Sequence, residues 1–403
     1  MLNTIGSTLV SFFCIGFIIS AVGLKIYGLW AFIFISQGIG SLLVLGVPKS
    51  LVQNMAHKKD NFTYWFGAKN LLYYSLAVII GFTVLTMFIF VGSNTEFMGL
   101  NNLQSLQILI SLSFCCMSSL VMEYSKGFFE AINKVYLANI YSFFQTVVLY
   151  LSACIAISYN ADLVTIYLVT TAAFFIIAVL SQAHIIAVYT GGKETNSVAS
   201  LKSILVDSRF FFGFGFITGL FIPLNRLLIA TSSGGAVSHG IFDIGLKISL
   251  AACSILNAFS TNLHAYFRSM IAKGKDTFSL INFMTIFLFL LYVFGLVTFY
   301  LISEIIMSYF SLESSALKIL FILLLSIAFT GVCEPALKAL WSKGEALLTF
   351  RIKILQLVLN LMLFLGLYSL DILLRVTLAY CIPLVLGCLF YIFLVFSRSR
   401  NES

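Results

Sequence analysis

Runs of about twenty apolar residues, the length that crosses roughly 30 Å of hydrocarbon, recur along almost the whole chain, and they constrain its fold more than any local motif. They read as spans at 4–23, 27–48, 70–92, 102–122, 136–158, 162–189, 210–230, 237–262, 279–302, 315–337, 351–369 and 373–396. Of the 403 residues 61% are hydrophobic and 9% are charged, so a soluble core could not bury the apolar surface. The runs are continuous rather than alternating, which selects helices over a β-barrel. The expected fold is an all-α integral membrane protein with about twelve transmembrane helices.

Charge orients these spans, because Lys and Arg accumulate in short cytoplasmic loops. The loops after even-numbered spans, with the tail, carry 17 such residues, among them Lys58, Lys59, Lys126, Lys193, Lys338, Arg351 and Lys353, whereas the opposite loops carry Lys25, Lys318 and Arg375. Both termini are therefore expected in the cytoplasm. The net charge of +8 is on this reading a topology signal, and nothing in its pattern suggests a nucleic acid. Span 1 has neither a basic leader nor a small-residue cleavage site before Lys25, so it reads as a retained helix rather than a signal peptide. All eight cysteines fall in apolar spans without metal-ligand spacing, which points to packing rather than disulfides or zinc.

The chain also reads as duplicated. Tyr27-Gly28-Leu29-Trp30 at the mouth of span 2 recurs 212 residues on as His239-Gly240-Ile241-Phe242, and Glu123 recurs 211 residues on as Glu334. Six spans per half in the same orientation imply two six-helix lobes related by a pseudo-two-fold axis along the membrane normal. The lobes are expected at 1–192 and 209–403, with 193–208 as a cytoplasmic linker. In this alignment Ala31 and Ile35 correspond to Asp243 and Lys247. The second copy has an i, i+4 ion pair where the first is apolar.

His239, Asp243, Lys247, Leu250, Ser254, Asn257, Thr261 and His264 follow one another at spacings of three or four, which draws one largely polar stripe along a helix. A charge inside a span costs roughly 2.5–3.5 kcal/mol on insertion scales, so such a stripe faces protein, water or a polar passenger. Asp243 and Lys247 could fasten span 8 to a neighbour, but the continuation through Ser254 and Asn257 favours a cavity lining. Arg226 has no carboxylate at helical spacing in its own span, and it either lines the cavity or snorkels to the interface. Lys49 has the same two readings, and Lys25 is an interfacial residue or a cavity cation. Glu123 with Lys126, and Glu334 with Lys338, read as neutralised pairs near the inner face. His239 and His264 read as satisfied polar residues, with a proton relay as the alternative.

Tyr27-Gly28-Leu29-Trp30, then Gly46-Val47-Pro48-Lys49-Ser50-Leu51, resembles the opening of Wzx-type polysaccharide flippases, members of the multidrug, oligosaccharidyl-lipid and polysaccharide (MOP) exporter superfamily. Asn225-Arg226-Leu227-Leu228-Ile229, a turn at Gly234-Gly235 and then His239-Gly240 resemble the family's junction of helices seven and eight. His239 stands where Tyr is usual, and Asn225 where the family has an acidic residue, which weakens any coupling role at that position. The resemblance implies a V-shaped pair of lobes around a cavity that opens alternately to each side. Its cargo would be an undecaprenyl-diphosphate-linked oligosaccharide, such as an O-antigen unit, moved from the cytoplasmic to the periplasmic leaflet. Lys25, Lys49, Arg226 and Lys247 would be cavity cations, with Asp243, Ser254 and Asn257 beside them. No cofactor is expected; a proton or sodium gradient could act through Asp243, Glu123, His239 or Glu334. Membrane lipids, and the polymerase and chain-length machinery of such a pathway, are the expected partners.

Two other functions remain open at this point. A multidrug or metabolite antiporter of the same superfamily would share the fold, although Lys49, Arg226, Asp243 and Lys247 sum to a positive charge that suits an anionic passenger. A membrane polymerase or ligase would be an enzyme with a large outer loop, whereas the outer loop from Gly92 to Asn101 is short and carries one charge, Glu96. There is no Walker motif.

Overall fold

The computed structural model describes residues 2–44, 46–48, 51, 62–93, 102–132, 134–189, 213, 216–217, 219–229, 235–260, 263, 266–267, 270, 277–343 and 345–402. Among these lie α1 (Leu2–Trp30), α2 (Ile33–Leu42), α3 (Phe62–Ser93), α4 (Asn102–Ala131), α5 (Val135–Ser158) and α6 (Leu163–Tyr189). They are followed by α7 (Gly219–Ile229), α8 (Gly235–Ser260), α9 (Phe278–Tyr309), α10 (Ser314–Ser342), α11 (Ala346–Gly366) and α12 (Ile372–Glu402). No strand occurs among the described residues. The all-helical outcome follows from the solvent, because in hydrocarbon every backbone N–H and C=O must be satisfied within the chain.

Against the twelve spans expected, ten stretches among the described residues are long and apolar enough to cross a membrane, with Gly6–Leu42 counted as one and α7 as a shorter helix inside the seventh expected span. The first stretch folds back on itself. Gly6 lies against Phe143, and Cys154 Sγ reaches the Cys14 carbonyl at 3.8 Å, so α1 sets out alongside α5 in the same direction. Sixteen residues after Cys14, Trp30 packs on Tyr150 with ring centroids 5.7 Å apart, back at an earlier level of α5. A straight helix would have carried it about 24 Å onward. The reversal sits at Gly23, whose φ of 82° and ψ of 161° are open to glycine and strained for other residues.

The chain divides into two compact units, Leu2–Pro223 and Leu224–Ser403, with the boundary inside α7. The 193–208 segment lies outside the described residues. In the N-terminal unit α4 is central, packing on α2, α3, α5 and α6, while α5 packs on α1 and α6. In the C-terminal unit α10 packs on α8, α9, α11 and α12, while α11 packs on α12. The partners recur six helices later, and a hydrogen bond from Asn360 to Asn225 joins α11 to α7 as α5 is joined to α1.

Small residues let these helices approach closely. Gly40 abuts the Cys116 carbonyl, and Ser119 Oγ donates to the Gln37 carbonyl at 3.0 Å. In the second unit Gly245 abuts Leu323, and Gly331 abuts Leu256. The outward faces are apolar: on α9, Phe283, Leu290, Phe294, Leu301 and Ile305 are exposed at helical spacing and form the lipid-facing side.

Pro383 lies inside α12 and has no N–H to give the carbonyl of Ala379. Asn360 of α11 supplies the missing donor, its Nδ2 lying 2.8 Å from that carbonyl, and Gln356 Nε2 donates to the Pro383 carbonyl at 3.0 Å. Asn360→Leu should therefore lower the melting temperature in detergent, by the roughly 1–3 kcal/mol that an orphaned buried carbonyl costs. Adding Pro383→Ala, which restores the backbone donor, should recover most of that loss. Equal losses with and without Pro383 would show that Asn360 acts elsewhere.

Candidate functional site

The Asp243 side chain is wholly buried, and a buried carboxylate needs counter-charge. It receives two. Arg226 Nη2 donates to one carboxylate oxygen, and Lys247 Nζ lies 2.7 Å from the other. The i, i+4 spacing places Lys247 one turn beyond Asp243 on the same face of α8, as the sequence suggests. Arg226 comes from α7, and its side chain is only 7% exposed, so it is a member of a buried ion network and does not snorkel. Its carboxylate lies on the next helix, where spacing within its own span could not reveal it. The Lys247 side chain, 17% exposed, is the most accessible of the three.

The surrounding side chains hold this network in place. His239, one turn before Asp243, is fully buried on the same face of α8. Phe242 packs edge-on against Tyr380 of α12, with ring centroids 6.2 Å apart. Asn225, next to Arg226, accepts from Asn360 Nδ2 at 3.3 Å. In the N-terminal unit the positions equivalent to Asp243 and Lys247 are Ala31 and Ile35, both buried and apolar.

Viewed down its axis at about 100° per residue, α8 has three faces. Val237, Ile255 and Phe259 are exposed on an apolar one. Gly245, Ser249, Cys253, Leu256 and Ser260 are buried toward α10. The stripe from His239 through Asp243 and Lys247 to Ser254 and Asn257 occupies a third, roughly opposite the exposed apolar side. Ser254 and Asn257 are half-buried, and Asn257 Nδ2 contacts Cys253 Sγ at 3.5 Å, which in turn lies 3.3 Å from Thr330 Oγ1. Thr261 and His264, the rest of the stripe, and Lys49 lie outside the described residues.

The other candidate residues stand apart from this network. Lys25 is exposed on α1, two residues past Gly23. Glu123 pairs with Lys126 at 2.7 Å on α4. Glu334 pairs with Lys338 at 3.7 Å on α10, and Lys338 also donates to the Ser260 carbonyl at 2.9 Å, capping the end of α8. Among the described residues no three of His, Cys, Asp and Glu gather as a metal site. Lys126, Lys338, Arg351 and Lys353, read from sequence as loop charges, all lie inside helices, and Lys353 is two turns into α11 and half-buried.

No protein-family model matches the chain, and no curated protein matches it. Solved structures do. A multidrug-resistance MATE-family transporter of the MOP superfamily, in an inward-facing conformation, superposes with a TM-score of 0.73 at 12% identity, over 98% of this chain and 96% of that one. The lipid II flippase MurJ, in an inward closed conformation, superposes with a TM-score of 0.72 at 14% identity, over 98% of this chain and 86% of that one. The fold is that of MOP-superfamily transporters. A third match, a MOP-superfamily transporter from Pyrococcus furiosus described as having a binding pocket of reverse polarity that suggests a different function, has a TM-score of 0.57 at 12% identity over 97% of this chain and 96% of that one. At such identities the likeness speaks of fold alone.

Asp243→Asn should leave Arg226 and Lys247 facing each other without their shared anion. Loss of one partner from a buried ion network costs about 3–5 kcal/mol. The expected outcome is a marked fall in melting temperature and in membrane level. Asp243→Asn combined with Arg226→Gln should lose less than the sum of the single variants; additive losses would show that the two side chains do not interact.

Proposed function

We propose that this multi-pass membrane protein is a flippase that moves an undecaprenyl-diphosphate-linked oligosaccharide, such as an O-antigen repeat unit, from the cytoplasmic to the periplasmic leaflet of a bacterial inner membrane. The observation that carries the reading is the Arg226–Asp243–Lys247 network, in which two cations share one carboxylate and Lys247 is the most accessible member. A diphosphate-linked sugar cannot enter hydrocarbon unaided, because its charges and hydroxyls would lose hydration. Lys247 would replace part of that hydration at the phosphate, while Ser254 and Asn257 offer groups of hydroxyl and amide chemistry to the sugar. Asp243 competes with the phosphate for Lys247, which limits affinity and lets the head group leave. Exchange between two conformations then carries it across, provided neither conformation binds it much more tightly.

In this reading Arg226 holds Asp243 rather than the cargo, Lys25 and Lys49 serve the N-terminal unit, and Glu123, His239 and Glu334 are where a proton or sodium gradient would act. A second reading, export of a small organic molecule, is favoured by the equally close likeness in fold to the multidrug transporter. The two differ in what the site asks of its ligand: an organic cation would need an accessible acid, and Asp243 is fully buried between two cations.

The deciding experiment is complementation in a host lacking its own polysaccharide flippase, after matching membrane levels. Surface polysaccharide should return with the intact chain, fall at least tenfold with Lys247→Ala and survive Lys247→Arg. An intact chain that reaches the membrane yet moves no lipid-linked sugar across matched pathways would favour small-molecule export. Normal function of Lys247→Ala would remove Lys247 from the path.

A further inference from the structure

We infer that the C-terminal unit holds a second anion site, centred on Lys353 and taking a phosphate-bearing head group. Lys353 lies seven residues after the start of α11, and Glu334 eight residues before the end of α10. The turn between the helices is tight, so both sit at one depth, on the order of 12 Å from it. Lys353 is half-buried and within electrostatic reach of Glu334 and of the thiols Cys333 and Cys388, where α10, α11 and α12 meet. Among the described residues its ammonium has neither an ion-pair partner within 4.0 Å nor a hydrogen-bond acceptor. Glu334 is already engaged by Lys338, which is itself tied to the end of α8. That pair is formally neutral, and Lys353 is the surplus charge.

An ammonium held at this depth without an acceptor is costly, and a phosphate oxygen supplies both acceptor and counter-charge. The polar face of α8 reaches the same level: Cys253 touches Thr330, one turn from Glu334, and Asn257 lies ten residues from Lys247. The two sites are thus about 15 Å apart along α8. The duplication bears on the same lysine. The N-terminal copy keeps the carboxylate and its lysine as Glu123 and Lys126, but it has Tyr141 or Ser142 where Lys353 would align. The extra cation belongs to the copy that also acquired Asp243 and Lys247. The site rests on the flippase reading only for the identity of its passenger; the shared chemistry is a phosphate on a lipid, either the carrier's diphosphate or an anionic phospholipid.

The test titrates full-length protein in non-ionic detergent with inorganic pyrophosphate by calorimetry, in a Lys247→Gln background that silences the first cation. Saturable binding should remain, weaken about tenfold or more with Lys353→Gln, persist with Lys353→Arg and strengthen several-fold with Glu334→Gln, which removes a competing carboxylate. A merely structural cluster predicts the opposite sign for Glu334→Gln. Absence of binding in the background, or binding indifferent to Lys353→Gln in protein of unchanged melting temperature, overturns the site. Native mass spectrometry separates the sources. An anionic phospholipid that co-purifies with the intact chain and is lost with Lys353→Gln marks a resident lipid; unchanged lipid content beside weakened pyrophosphate binding assigns the site to the passenger. These readouts need no transport, so failure of the complementation assay and failure of this site are distinguishable.

Discussion

Charge carried into hydrocarbon has to be neutralised where it lies, and in this chain that requirement organises the C-terminal unit. Asp243 cannot be hydrated, so α7 and α8 must converge to bring Arg226 and Lys247 to its two oxygens. The pairing fixes the rotation of α8 about its own axis, because Asp243 has to face α7. With that rotation set, Val237, Ile255 and Phe259 point outward, and Ser249 and Cys253 point to α10. Ser254 and Asn257 are then left on the remaining face. The position of the polar face is a consequence of neutralising one carboxylate.

The two halves show what the duplicated scaffold needs and what it can vary. Both units are built around a central helix with the same set of neighbours, drawn together by glycine and serine at close contacts. Within that frame the first copy seals the mouth of its second span with aromatic packing. Trp30 packs edge-on against Tyr150, and the Tyr167 hydroxyl donates to the Leu29 carbonyl. The second copy keeps an aromatic pair there, Phe242 with Tyr380, and adds the ion network one residue along. The buried ion network lies on one copy, while the other has Ala31 and Ile35 at the corresponding positions.

Much of the fold was legible in the sequence because hydrocarbon thickness imposes a length and lipid imposes a composition. The starts of α4, α5, α6, α9, α10 and α12 fall within one residue of the expected positions. Helix ends were less legible: α4 runs nine residues past its expected end at 122, because Tyr124, Phe128 and Phe129 remain buried there. The start of α11 was expected at 351, five residues late, because the charges Arg351 and Lys353 drew the boundary to themselves although the helix already begins at Ala346. The Asp243–Lys247 pair was visible from spacing alone. The attachment of Arg226 to Asp243 was not, because it joins two helices across a turn, and periodicity within one span carries no such information. The role of Asn360 was hidden for the same reason: the proline that creates the need for it lies on a different helix.

The turn at Gly23 bears on how little irregular backbone the first stretch exposes. Only that residue departs from helical geometry between Leu2 and Trp30, so the reversal leaves almost no N–H or C=O group without a helical partner. The two arms therefore form one hinged unit, and a side chain added at position 23 would strain the single residue on which the reversal turns.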